Sequence, residues 1–289
     1  NNTIEKINFL EKTGFKRVIL PREITLDEIK EIHKNTNIEL ECFVHGALCM
    51  SYSGQCYLSY AIGGRSANRG ECAQPCRKKY SLKDAEGKYI VRNKNILSLK
   101  DLNLSERLEE LILAGITSFK IEGRLKNEAY VVNTTAYYRQ LLDKITDNLK
   151  LKRASKGISA YDFEPDIHKT FNRGYTTFNI DNNKKDLSTY TYTSSLGEYL
   201  GVVQYVKKNY FSMKTNILNN GDGICFFNEE KELIGTKINK IEGNLIFPAE
   251  IKGIKPGIKI YRNYNKVFFF FLNNTNIKIK LSTKLGGRE

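Results

Sequence analysis

The hydrophobic period of this chain changes once, near residue 150, and the change dictates two kinds of architecture within one sequence. Before it, helical and strand patterns alternate. A helix is predicted over residues 4–12, then a turn at Gly14 and an apolar strand over 17–20. Thr25, with Glu28 three residues on, forms a capping box for a helix that reaches about His33. A strand follows over 38–44, a helix over 104–114 that Gly115 stops, a strand over 116–121 and an amphipathic helix over 127–143. Tyr130, Tyr137, Tyr138 and Arg139 are expected on the surface of that helix, as packing residues. Such alternation predicts a parallel sheet or a β/α barrel. From about residue 156, short alternating segments follow over 199–205, 211–215, 223–227, 233–241, 244–247 and 267–272. Turn signals such as Lys255-Pro256-Gly257 separate them, which predicts a small antiparallel β-barrel or sandwich.

The expected division is an α/β domain over 1–150, the C-terminal part of a TIM-like barrel, and an all-β domain over 151–289. A polar stretch, 181–186, lies near the boundary. Within the first domain, residues 46–95 form an insert of Gly, Ser, Cys, Arg and Asn without a sustained period. An irregular insert of that length is usually functional. Eight strands close a β/α barrel, and three or four are legible before the β domain. Another chain, or a segment ahead of Asn1, is expected to complete it.

The longest apolar run, 267–272, is far short of the roughly 18 residues of a membrane helix. No charged segment with an apolar core opens the sequence, so the expected location is the cytoplasm. Lys and Arg number 46 against 32 Asp and Glu, a formal charge of +14. That excess suits a polyanion such as RNA or DNA, although a Lys/Asn/Ile-rich composition produces it as well. Its distribution is uneven: residues 65–94 hold nine basic and three acidic side chains, and 151–289 carry a net +9. Candidate RNA contacts are Arg77, Lys78 and Lys79 in the insert, and Lys207 and Lys208 in the β domain. Near the latter, Tyr199, Tyr205, Tyr210 and Phe211 could stack bases, and a β core needs aromatics too.

Cys42, Cys49, Cys56, Cys72 and Cys76 fall within 35 residues, and the last four read C-x6-C-x15-C-x3-C. Disulfides fit poorly, because nothing indicates secretion and a chain of this size does not need them. Zinc usually shows paired short knuckles, and here one short spacing occurs. Four thiolates along a loop can equally hold an iron–sulfur cluster. Surrounding positive charge would keep the thiolates ionised. Zinc and cluster both remain open on spacing.

Other candidates sit at strand ends. Glu41, Phe43 and His45 share one face of the strand over 38–44 by the two-residue period. Arg22 and Glu23 follow one strand, and Glu122 and Arg124 follow another. Two Arg–Glu pairs at neighbouring strand ends could bind a carboxylate or phosphate, and each singly reads as a structural ion pair. With three histidines, a Cys–His or Ser–His–Asp nucleophile has little to draw on, and a helical His-Glu-x-x-His is absent.

The segment Glu41-Cys42-Phe43-Val44-His45-Gly46-Ala47-Leu48-Cys49, followed by Ser51-Tyr52-Ser53-Gly54-Gln55-Cys56-Tyr57-Leu58-Ser59, resembles the signature of the collagenase-like peptidase family U32. Asn68-Arg69-Gly70-Glu71-Cys72-Ala73-Gln74-Pro75-Cys76-Arg77, Lys120-Ile121-Glu122-Gly123-Arg124 and Phe171-Asn172-Arg173-Gly174-Tyr175 match what that family carries downstream. The resemblance implies a β/α-barrel catalytic domain followed by a β-barrel, in an N-terminally truncated member whose full-length chain supplies the missing barrel half. It implies Cys49, Cys56, Cys72 and Cys76 as ligands of a four-iron, four-sulfur cluster. Relatives include RNA hydroxylation proteins that make 5-hydroxyuridine in tRNA, where prephenate is implicated, or 5-hydroxycytidine in rRNA. Others support hydroxylation in ubiquinone synthesis, and the family name records proteolysis. The expected function is cluster-dependent hydroxylation of a tRNA uridine. Peptidase activity and a non-catalytic RNA-binding module are the alternatives.

Overall fold

Local signals in the first third of the chain produce the predicted elements almost to the residue. The computed structural model describes residues 3–153, 157–182, 187–215, 217–274 and 278–281. Helix α1 (Ile4–Lys12) leads into strand β1 (Arg17–Ile19). Helix α2 (Leu26–Lys34) begins with the reciprocal capping box. The Glu28 amide donates to Thr25 Oγ1 (3.3 Å), and the Thr25 amide donates to Glu28 Oε2 (2.8 Å). Such a cap stabilises a helix by about 1 kcal/mol.

Strand β2 (Glu39–Ala47) is the centre of the first sheet. It pairs in parallel with β1 and, on its other side, with the later strand Ile116–Ile121. Between them the chain makes helix α3 (Leu58–Gly63), strands β3 (Tyr80–Lys83), β4 (Tyr89–Leu99) and β5 (Asp101–Asn103), and helix α4 (Leu108–Leu113). The parallel partner Ile116–Ile121 is then β6, and helix α5 (Glu128–Asn148) starts at the N-cap Asn127. The insert 46–95 is thus partly regular, because β3 and β4 pair as an antiparallel hairpin. Tyr130 and Tyr138 of α5 are packing residues, as expected: both are buried, and their rings lie against His45.

Residues beyond 150 still serve this first sheet. After strand β7 (Gly157–Ala160), strand β8 (Tyr175–Thr176) pairs in parallel with β5 of this sheet, whereas β9 (Ser188–Tyr190) pairs with β4 in a separate three-stranded sheet. The main core runs from Ile7 through Leu40, Val44, Leu108 and Ile116 to Ile180. Of the polar stretch 181–186, residues 183–186 lie outside the described residues.

The second sheet has seven antiparallel strands: β10 (Glu198–Val202), β11 (Tyr205–Val206), β12 (Phe211–Ser212), β13 (Gly223–Phe227), β14 (Leu233–Glu242), β15 (Leu245–Pro248) and β16 (Lys259–Tyr264). Its separate core centres on Phe211, Phe226, Ile238 and Ile260. Neither sheet closes into a barrel among the described strands.

The run predicted as a strand over 267–272 is instead in helix α6 (Lys266–Asn274). Asn265 Oδ1 accepts from the Phe268 amide (3.0 Å), and Phe268 and Leu272, four apart, bury together against Ala129 of α5. A short, wholly apolar run carries no period, so the cap and the helical partner decided the outcome. A last strand, β17 (Lys278–Leu281), pairs antiparallel with β7.

A cysteine-lined candidate active site

The C-terminal ends of β2 and β6 open into a cavity of about 980 Å³, and Cys49, Cys56, Cys72 and Cys76 all line it. Cys49 follows β2 by two residues, Cys56 precedes α3, and Cys72 and Cys76 flank a left-handed turn at Gln74. The insert is stitched into place by side chains. Arg77 donates to the carbonyls of Leu48 (2.9 Å) and Leu99 and to Ser98 Oγ (2.8 Å). Asn68 Oδ1 accepts from the Cys56 amide (3.0 Å), and Ser59 Oγ accepts from the Ala73 amide (3.0 Å). Glu23 holds Ser53 by its amide and hydroxyl.

Burial pushes the Cys76 thiol up, Arg77 pulls it back, and the other three cysteines act on it through space. The other three thiols therefore lie within electrostatic reach of Cys76. Among the described residues, no three His, Cys, Asp or Glu side chains are grouped closely enough to hold a single metal ion.

Five cations line the same cavity: Arg22, Arg77, Arg124, Lys126 and Arg173. Glu122 is the one carboxylate lining it among the described residues. The two strand-end pairs cross over: Arg22 Nη2 meets Glu122 Oε2 at 3.2 Å, and Glu122 Oε1 accepts from the Arg124 amide at 2.9 Å. The Arg124 guanidinium donates to the Gly70 carbonyl of the insert. Burial, reinforced by Arg173, pulls the Lys126 ammonium down to about 8, and its nitrogen lies 3.4 Å from the centre of the Phe171 ring. Arg173 forms a buried pair with Asp101, Nη1 to Oδ1 at 2.9 Å, and its amide donates to Oδ2 at 3.1 Å.

Three expected site residues do not line this cavity. The ladder between β2 and β6 shifts register between Phe43 and His45, which breaks the two-residue period expected to align them. Glu41 accepts from Ser118 Oγ (2.7 Å) and faces Arg17 and Lys120. His45 is buried, with Nδ1 at 3.3 Å from Tyr138 Oη and Tyr130 and Tyr175 against its ring. Burial, then His168, lowers its pKa to about 3, so it is neutral. Glu23 acts on the insert, through Ser53.

The basic residues also divide. Arg77 is a fastener of the insert rather than a free cation, because three acceptors occupy its guanidinium. Lys79 pairs with Glu232 of the β domain at 3.1 Å. Lys78, Lys207 and Lys208 are exposed. Phe211 is in the core, and Tyr210 packs on Phe247, so these aromatics serve the β domain itself. Lys126, Phe171 and Arg173 were not among the expected site residues; the Phe171-to-Tyr175 motif was the available signal for the last two.

The sheet, the cysteine insert and the cation-rich cavity define a cysteine-centred α/β protein, and comparison with known proteins gives the family. The profile of peptidase family U32 matches residues 1–190, and the chain belongs to that family. It is 40% identical to a 23S rRNA 5-hydroxycytidine synthase of Escherichia coli over 99% of this chain and 46% of that protein. It is 38% identical to tRNA hydroxylation protein P of Helicobacter pylori over 47% of this chain and 35% of that protein. A collagenase of Porphyromonas gingivalis is 34% identical over 55% of this chain and 40% of its own length. The chain thus spans less than half the length of these curated relatives.

Proposed function

We propose that this chain is part of a cytoplasmic enzyme that hydroxylates carbon 5 of a pyrimidine in RNA, with an iron–sulfur cluster on Cys49, Cys56, Cys72 and Cys76. The observation that carries the reading is the meeting of four thiols and five cations in one cavity at the strand ends. The donor set fits a cluster better than zinc. A single zinc ion needs four sulfurs about 2.3 Å from one centre, whereas a cluster binds each thiolate at a different iron. Four thiols that line one cavity, with no three of them grouped for a single ion among the described residues, suit the wider spacing that four separate irons allow. When bound, such a cluster would supply one-electron chemistry.

The chain's own residues would do the rest. Arg22, Arg124 and Lys126 would hold phosphate or a small carboxylate co-substrate, with Arg173 adding positive charge from its buried pair with Asp101; prephenate is the candidate in the tRNA case. Glu122, held by Arg22 and the Arg124 amide, would position the Arg124 loop and is placed to accept a proton. The β domain, with Lys207 and Lys208, would contribute to RNA binding. The five-stranded sheet is read as an arc of a β/α barrel that the full-length chain completes.

Likeness to the rRNA synthase extends through the β domain, whereas likeness to the tRNA protein covers about half of the chain. That favours an rRNA cytidine over the tRNA uridine expected from sequence. A proteolytic reading has less support, since no histidine lines the cavity among the described residues and His45 is buried and neutral. Nucleoside mass spectrometry of rRNA and tRNA, with and without the full-length gene, tests the proposal. Loss of 5-hydroxycytidine from rRNA, restored by wild type and not by Cys72→Ala, is the expected result. Loss of 5-hydroxyuridine from tRNA instead would move the substrate. An unchanged profile in both would overturn hydroxylation.

A further inference from the structure

We infer that Tyr52 and Tyr57 form a stacking site for one unpaired RNA base at the mouth of the cysteine-lined cavity, with Leu125 as an apolar stop beside it. The inference rests on the RNA reading above and adds residues that reading does not use. All three side chains line the cavity, yet they are among the most exposed large apolar groups of the chain: Tyr52 69%, Tyr57 71% and Leu125 79% exposed. Large apolar groups gathered and left in water at one opening mark a contact surface. The chain accepts backbone strain to present one of them. Leu125 has a φ of +60°, in the left-handed region that a bulky side chain rarely enters, and the turn is closed by the Lys126 amide donating to the Gly123 carbonyl at 3.0 Å. Strain of this kind concentrates at ligand clamps.

The occupant follows from charge and shape. Arg22, Arg124 and Lys126 line the same cavity as the two phenol rings, and aromatic rings beside cations recognise stacked bases on a phosphate backbone. A reacting pyrimidine inside a duplex presents carbon 5 only in the groove. An enzyme acting on it must take the base out of the stack and hold it between flat or apolar side chains. Tyr52 and Tyr57 flank the segment that carries Cys56, so a base held on them lies beside the cysteine wall.

The test uses two single-stranded RNA dodecamers, identical except that one carries an abasic ribose where the other has a central cytidine. Affinities are read by fluorescence anisotropy under anaerobic conditions, with iron content and thermal melting measured for every variant. Wild type is expected to prefer the cytidine dodecamer. Tyr52→Ala and Tyr57→Ala should each weaken that binding on the order of tenfold, leaving the abasic dodecamer unchanged, and Tyr52→Phe and Tyr57→Phe should retain wild-type affinity. Equal affinity of wild type for both dodecamers, or equal losses on both in the Ala variants, would overturn the stacking site while leaving RNA binding intact. Failure of wild type to bind either RNA would overturn the RNA reading itself.

Discussion

Arg173 and Asp101 are both nearly inaccessible and satisfy each other by a side-chain pair and a backbone bond. Removing one partner strands a buried charge, so Arg173→Met is expected to lower stability by about 3–5 kcal/mol in urea unfolding. Asp101→Asn, which keeps the shape and much of the hydrogen bonding, should cost less. His45 gives a pH signature. Its folded pKa of about 3 lies below the ordinary 6.5, so between those values the unfolded chain binds a proton that the folded chain does not. Its contribution is fully present above pH 6.5 and is lost as pH falls through that window, at up to about 1.4 kcal/mol per pH unit. A His45→Gln variant should show a flatter stability profile between pH 6 and 4; an unchanged slope would place the acid sensitivity elsewhere. Residue types were legible at this scale and their partners were not. Nothing local in the sequence distinguishes Arg77, consumed by three acceptors, from Lys78 next to it, which is exposed.

Strand β2 decides the site at the scale of elements. At Gly46 the backbone takes φ +107°, and a Cβ there would collide with the Glu122 carbonyl and stand 2.9 Å from its Cβ. The close approach brings the end of β2 against the end of β6, where the Glu122 amide donates to the His45 carbonyl at 2.8 Å. Gly46→Ala is therefore expected to cost about 2 kcal/mol or more and to displace Glu122 from Arg22. Thermal melting, together with a crystal structure of the variant, checks both. Helices α1 and α2 and strands β1 and β6 were legible because their signals are local: caps, stops and a sustained period. Helix α6 was not, since Val267 to Leu272 has no polar member to set a period and Ala129 of α5 is its partner across the fold.

Across the whole molecule, two separate cores are bridged by contacts such as Lys79 with Glu232 and the packing of α6 on α5. If the proposed RNA reading holds, exposed lysines of both parts contribute to the same contact. Replacing Lys78, Lys207 and Lys208 together with Gln should weaken RNA binding at low salt. It should also reduce the slope of log K against log salt by about 2–3, one counterion released per lost contact. Binding titrations over a salt series check this; an unchanged slope would remove these lysines from the interface. The sequence by itself determined the family, the mixture of α/β elements with a strand-rich C-terminal part, and the four cysteines with their spacing, because period, capping and motif order are properties of neighbouring residues. Which groups face the cavity was decided only by tertiary structure. Arg22 meets Glu122 across 100 positions and Arg173 meets Asp101 across 72, and a shift in the β2–β6 register turns His45 into the core. Such convergence depends on how strands pair and where a ladder slips, and no stretch of neighbouring residues carries that information.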